Sequence, residues 1–275
     1  RYLCTWQTDC PAITTNPTTS HMKRTTLTRL TLLLAAVCCL ASAPHVHAQE
    51  TPRGVYFTGG VDLVSSYLWR GYREAGVSMQ PSIALNAGGF KLSAWGSADL
   101  TGISYRELDL KATYVLGPVT FSVIDVYCVN PSQEGDHNHN YFSYNRQGAP
   151  HRVEAGVAWC ISKKVPLTIA WYTTLVGGSD YDENGKRTWA SYAQLSYPFS
   201  IKGIDLEAGI GIVPWAAPAI YRLDRNFYVQ DVFLNAGKSW RIESLAGLTF
   251  SVFTTLSWSP AMQDANIMGG IAVKI

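Results

Sequence analysis

After Ala48 the sequence has no apolar run approaching the roughly 20 residues that a spanning helix requires. This lack removes helical spans from that part of the chain and leaves strands untouched, because a strand barrel alternates apolar with polar residues and shows average hydropathy. An excess of charge of one sign is missing too. With Arg1, Lys23, Arg24, Arg29 and Asp9 set aside, the 22 bases and 20 acids fall to 18 and 19, a net charge of −1. No basic face dominates, so a nucleic-acid partner is not expected. Cysteine is scarce: beyond Ala48 only Cys128 and Cys160 remain. No nucleophile motif stands out, and Asp136-His137-Asn138-His139-Asn140 is the only stretch with metal-ligand character. Two histidines at i, i+2 beside an aspartate could hold a metal, but no second cluster completes a site, and the stretch reads as a solvated polar loop. No enzyme, cofactor or metal is therefore expected.

The N-terminus reads as leader rather than domain. Residues 1–21 are Thr- and Pro-rich without periodicity and are expected to lie upstream of the folded protein. Lys23, Arg24 and Arg29 then precede an apolar core from Leu30 to Leu40, followed by Val46-His47-Ala48. A positive start, an apolar middle and a small-residue site predict a signal peptide over 22–48, cleaved after Ala48. Residues 49–275 are left as a single domain.

Within that domain the period is two. In Tyr105–Val115, Leu108, Leu110, Ala112 and Tyr114 alternate with Glu107, Asp109, Lys111 and Thr113, a spacing that a helix face does not produce. Similar alternation marks Val55–Trp69, Val77–Asn86, Phe90–Leu100, Val119–Val129, His151–Ile161, Leu167–Leu175, Arg187–Tyr197, Ile204–Val213, Tyr228–Gly237 and two strands within Gly247–Ile275. In Val119–Val129 the pattern is least clean, since Asp125 shares the parity of Phe121 and Val123. Connections alternate between short, such as Ala87-Gly88-Gly89 and Gly117-Pro118, and long, such as Asn130–Pro150 and Pro214–Phe227. An even strand count with alternating connections predicts a 12-stranded antiparallel transmembrane β-barrel of outer-membrane type, closed between its first and last strands. Closure would pair Asn266–Ile275 with Val55–Ser65 and so remove an aggregation-prone edge.

Aromatics fit the same map. Tyr67, Trp69, Tyr127, Trp189, Trp215 and Trp258 fall near the long connections, and Phe57, Phe90, Tyr114, Trp159, Tyr197 and Phe250 near the short ones. Two girdles suit the two interfaces of a bilayer; in a soluble sandwich or lipocalin-like barrel the same rings would fill a core. Cys128 and Cys160 fall at opposite ends of neighbouring strands, beyond the reach of a disulfide to each other, and are expected as two free thiols.

Ser65-Ser66-Tyr67-Leu68-Trp69-Arg70-Gly71, followed by Gly76-Val77-Ser78-Met79-Gln80-Pro81, resembles the opening signature of the TorF-like porin family of bacterial outer-membrane proteins. The motif covers roughly residues 55–82, and the rest of the chain matches in style. The resemblance implies an exported, porin-like barrel in the outer membrane of a Gram-negative cell, with no substrate specified. Its partners would be outer-membrane lipid and the barrel insertion machinery, which reads the last strand. Here that strand ends on Ile275, where such barrels usually carry an aromatic residue.

The inner face of this barrel would carry Asp62, Lys91, Asp99, Glu107, Asp109, Lys111, Arg152, Glu154, Asp205, Glu207, Asp231 and Lys274 as pore-lining candidates. Eight of these are acids and four are bases, which points to weak cation preference in a narrow passive channel for small polar or charged solutes. Opposite charges could instead pair across strands and plug the lumen, giving a structural barrel or one that binds partners through its loops. Arg70 is a pore-mouth candidate, or else an arginine snorkelling at the rim. A barrel enzyme built on His151, Glu154 and a lumen serine is the remaining alternative; no motif fixes it.

Overall fold

Alternation decides the architecture. A strand with one apolar and one polar face is satisfied when the sheet curls until the polar face meets itself. The computed structural model describes residues 54–101, 105–129, 141–142, 144, 150–177, 180–245 and 247–275. The upstream segment 1–21, the leader 22–48 and the loop stretch with His137 and His139 lie outside them.

The strands are β1 (Val55–Val64), β2 (Tyr67–Trp69), β3 (Tyr72–Ala75), β4 (Ser78–Ala87), β5 (Phe90–Asp99), β6 (Arg106–Leu116) and β7 (Val119–Val129). They continue with β8 (His151–Cys160), β9 (Thr168–Gly177), β10 (Ser191–Ile201), β11 (Ile204–Val213), β12 (Tyr228–Ile242), β13 (Leu248–Ser259) and β14 (Asp264–Lys274). One short helix, α1 (Pro218–Tyr221), lies between β11 and β12. All strands except β2 and β3 form one closed antiparallel barrel in which β1 pairs with both β4 and β14. The chain thus builds the 12-stranded closed barrel that the alternation predicts.

The closing seam is shorter than a full-strand pairing. Gly60–Val64 pairs with Gly270–Lys274, and Gly59 and Ile275 exchange backbone hydrogen bonds of 2.9 and 3.2 Å. Val55–Thr58 therefore extends past the last residue and pairs on its β4 side alone. Ile275 supplies both an N–H and a carbonyl to the seam.

The outer wall is apolar. Val61, Leu63, Ile83, Leu110, Ile169, Leu195, Val252 and Ile271 face outward and are exposed. Exposed apolar area of this extent needs a lipid or protein cover. Trp189, Trp215 and Trp258 are exposed toward the long-connection end, and Phe57, Phe90, Tyr114 and Trp159 toward the short-turn end.

The largest departure from the sequence reading lies in the first segment. The expected strand Val55–Trp69 ends at Val64, and Tyr67–Trp69 leaves the wall to pair with Tyr72–Ala75. Tyr67 and Trp69 are not girdle residues but buried ones. Local chemistry permits the reversal that follows: Arg70 and Gly71 both adopt positive φ, 46° and 82°, which a two-residue I′ hairpin requires at its two central positions.

The thiols are also revised. Cys128 is free, whereas Cys160 is disulfide-bonded, so the expectation of two free thiols fails at Cys160. Cys128 and Cys160, at opposite ends of neighbouring strands, are not joined to each other.

Candidate functional site in the barrel lumen

Strand parity places the inner wall. On β1, Asp62 and Val64 are buried between exposed Val61 and Leu63; on β6, Glu107 and Asp109 are buried between exposed Arg106, Leu108 and Leu110. Carrying this alternation through the pairing puts Asp62, Lys91, Asp99, Glu107, Asp109, Lys111, Arg152, Glu154, Asp205, Glu207, Asp231 and Lys274 on the inner face. They do not form one cluster. Asp62, Asp99, Glu107, Asp109, Arg152, Glu154 and Asp231 lie on the half nearer the long connections, while Lys91, Asp205 and Lys274 lie near the short turns.

The half nearer the long connections is filled. The hairpin of β2 and β3 turns into the lumen, where Tyr67, Leu68, Trp69, Tyr72 and Ala75 are all buried. Arg70, at its tip, is 2% exposed. Its guanidinium donates from Nη2 to Glu154 Oε1 at 2.7 Å and from Nη1 to Glu154 Oε2 at 2.8 Å. Nη1 also donates to the Tyr221 hydroxyl at 2.5 Å. Three rings surround the same group, with the guanidinium carbon 4.4 Å from the Tyr192 centroid and 5.0 Å from those of Trp69 and Tyr172. Arg152 covers the Trp69 ring at 4.8 Å. Trp69 stacks on Tyr221 at 5.7 Å with 5° between the planes.

A buried charge pair is tolerable only with good geometry and further hydrogen bonds. Both conditions are met here: the contact is a two-pronged arginine–carboxylate fork, and aromatic faces replace lost water. Arg70 is therefore neither a free charge at the pore mouth nor a snorkelling side chain on the lipid-facing rim.

A second set of bonds ties down the hairpin backbone. Gln230 Nε2 donates to the Arg70 carbonyl at 3.0 Å, and the single proton of the Tyr72 hydroxyl is shared between the Tyr221 carbonyl and Gln230 Oε1, the latter 3.1 Å away. Burial pushes the Tyr72 phenol well above its ordinary pKa, so it stays protonated as a donor. Gln230 reaches the lumen through a bulge. Gly211 pairs with Asp231 and Ile212 with Val229, so Gln230 is the extra residue of β12, and Gln230 and Asp231 are both buried. At the hairpin base Tyr67 and Tyr105 donate to Glu107 Oε2 at 3.0 and 2.6 Å. Burial first, and the Glu107 charge second, raise the Tyr105 phenol above its ordinary range.

The half nearer the short turns differs. Besides Lys91 and Lys274, many inner positions there are small or short: Thr58, Ser93, Thr113, Ser122 and Ser251 are partly exposed. Glu207 accepts a bond from Asn235 at 3.1 Å, and Asn235 from Thr255 at 2.8 Å.

His151 and Glu154 sit on opposite faces of the wall. His151 pairs with outward Tyr127, and its Nδ1 lies 2.8 Å from Asp125 Oδ1. Its Nε2 meets the Tyr141 carbonyl. The Tyr144 hydroxyl donates to Asp125 Oδ2 at 2.6 Å, and its ring stacks on the imidazole. This cluster explains the odd parity of Asp125: the carboxylate faces outward and is covered by its own connection. With an acceptor at each ring nitrogen, His151 does not address a hydroxyl or thiol among the described residues. The proposed trio of His151, Glu154 and a lumen serine is therefore not assembled.

The sequence reading missed Tyr105, Tyr172, Tyr192, Tyr221 and Gln230 as site residues. Tyr172 and Tyr192 were detectable, since they share parity with polar rather than apolar neighbours on β9 and β10. Gln230 was hidden by the bulge, and Tyr221 by its place in a connection.

The fold and lumen define a twelve-stranded outer-membrane-type β-barrel with an inner plug. No protein-family model matches the chain, and no curated protein does. Solved structures similar in outline include the KdgM porin, at 8% identity and TM-score 0.39 over 79% of this chain and 97% of that one. An outer-membrane channel from Pseudomonas putida F1 gives 12% and 0.41 over 82% and 96%. OprD from Pseudomonas aeruginosa gives 10% and 0.33 over 82% and 65%. At these values the likeness carries no functional information, and the reading below rests on this chain's own geometry.

Proposed function

We propose that this chain is an outer-membrane, porin-like protein that passes small polar or charged solutes through a narrow passive channel. The observation that carries this reading is the contrast between an apolar outer wall and an inner wall of charges and short polar side chains. A lumen of that kind conducts by its field and width and needs no catalytic group. The hairpin of β2 and β3 is the constriction, and the short-turn half is its vestibule. With eight acids against five bases on the inner wall and hairpin tip, Arg70 included, the channel prefers cations weakly. Export by the 22–48 leader and insertion through β14 complete the reading, which also places the chain with the TorF-like porins through its Ser65–Gly71 motif.

Planar-bilayer recording tests it. The wild type is expected to give small unitary currents, and a variant with Ser65–Val77 replaced by a short turn larger ones. If both variants insert and neither conducts, the barrel is structural or binds partners through its long connections. Firm anion preference in the reversal potential would remove the cation assignment.

A further inference from the structure

The pocket around Arg70 is built mostly by the wall, while its occupant is not part of the wall. Glu154 comes from β8, Tyr172 from β9 and Tyr192 from β10, three neighbouring strands. Together they offer one buried carboxylate with both oxygens turned to a planar cation, and two ring faces at 4.4 and 5.0 Å from its carbon. Tyr221 of α1 adds a hydroxyl. Bidentate acceptance plus aromatic cover is the chemistry that selects guanidinium over a simple metal cation. The Arg70 guanidinium arrives on a two-residue turn whose own backbone is anchored to the wall by Gln230 and Tyr72.

We propose that the Glu154–Tyr172–Tyr192 pocket is a recognition site for solutes bearing a guanidinium group, and that Arg70 is its tethered occupant. Charge balance supplies the coupling. Glu154 is 4% exposed, and a carboxylate left alone at such a depth is strongly unfavourable. The hairpin tip therefore leaves the pocket readily only when another cation enters. A guanidinium solute exchanges with Arg70, loosens the constriction and moves on, whereas a neutral or anionic solute cannot make the exchange. Binding at the pocket stands on the geometry alone; the exchange as a step in passage rests on the channel reading above.

The test uses the full-length protein refolded into detergent micelles, with methylguanidinium as the probe and the heat-resistant compact band on a gel as the readout. Arg70→Ala empties the pocket. Its folding constant is expected to rise about twofold when methylguanidinium equals its dissociation constant, and further above that. The gain should vanish in Arg70→Ala/Glu154→Gln, and also in Arg70→Lys, where a tethered cation still fills the site. An equal gain in Arg70→Ala and in either reference, or no gain in Arg70→Ala including failure to recover a compact band, overturns the proposal. Bilayer recordings on the same preparations separate the two ideas. Stabilisation of Arg70→Ala without any current would reject the channel and keep the pocket, while current without stabilisation would do the reverse.

Discussion

The barrel uses one turn geometry twice, at opposite ends, for different purposes. Lys202-Gly203 joins β10 to β11 with φ of 52° and 75°, and Arg70-Gly71 joins β2 to β3 with 46° and 82°. At Gly203 an added Cβ meets nothing within 4 Å; at Gly71 it comes within 2.8 Å of Asp231 Cβ and 3.2 Å of the Gln230 carbonyl. The first turn reverses the chain in open space. The second is packed into the lumen with a charge at its tip. Identical backbone chemistry thus gives a plain hairpin where the surroundings are solvent, and a plug where neighbouring strands offer Glu154, Tyr172 and Tyr192. The difference between the two ends lies in what the wall presents, not in the turn.

The most severe way to break that difference is to remove the partner of the plug. Glu154→Ala leaves the Arg70 guanidinium buried without its carboxylate and should cost about 3–5 kcal/mol, read as a drop in the denaturant midpoint of the micelle-embedded barrel. Lys202→Ala at the other turn is expected to stay within about 0.5 kcal/mol, as surface substitutions usually do. Equal effects at both sites would mean that the ion pair contributes no more than a surface charge.

The glycines give a smaller and more direct comparison. Gly203→Ala carries only the left-handed backbone penalty of about 1–2 kcal/mol. Gly71→Ala adds the clash with Asp231 and Gln230, about 1–3 kcal/mol more. Should the two substitutions cost the same, the hairpin must be free to shift away from β12.

The fold was legible because its grammar is local. Period two, short turns after every second wall strand and apolar outward parity are all written in neighbouring residues, so the closed barrel and the inward set from Asp62 to Lys274 could be read off directly. The plug was not legible for the opposite reason. In Val55–Trp69 the apolar parity of Val55, Phe57, Val61 and Leu63 lapses at Ser65 and resumes at Tyr67 and Trp69, so one small residue is all that marks the end of the wall at Val64. That boundary is set by partners 84 and 151 residues away, Glu154 and Tyr221. Parity likewise misassigned Tyr67 and Trp69 to a girdle, since a ring that faces lipid and a ring that fills a lumen are the same residue type. At Gln230 a bulge shifts the register by one, which no period-two count can follow.

Accessibility separates the two halves of the lumen without large energies. Ser93 and Ser97 both face inward on β5, Ser93 in the open half and partly exposed, Ser97 beside the plug and buried. In a Cys128→Ser/Cys160→Ser background, Ser93→Cys should react quickly with a water-soluble thiol reagent and Ser97→Cys slowly. Replacing Ser65–Val77 by a short turn should bring the second rate up to the first. If Ser97→Cys already reacts as fast in the intact protein, the hairpin does not fill that half of the lumen.

The smallest expected effect lies outside the wall at the long-connection end, where Tyr144 is bound to Asp125. The hydrogen bond to that carboxylate, with lesser help from burial and charge, pushes the Tyr144 phenol up to about 12 from 10.0. A raised phenol favours the neutral form in the folded state. The stabilisation is therefore fully present below pH 10 and is lost as pH rises through about 12, because the unfolded chain ionises first. Wild type and Tyr144→Phe should differ by a constant small amount at neutral pH and converge between these two values. Asp125→Asn, which removes the charge that the phenol faces, should return one late-ionising tyrosine to the ordinary range in a spectrophotometric titration. A stability difference that instead widened above pH 10 would mean that Tyr144 binds Asp125 only in its ionised form, contrary to the donor geometry of the 2.6 Å contact.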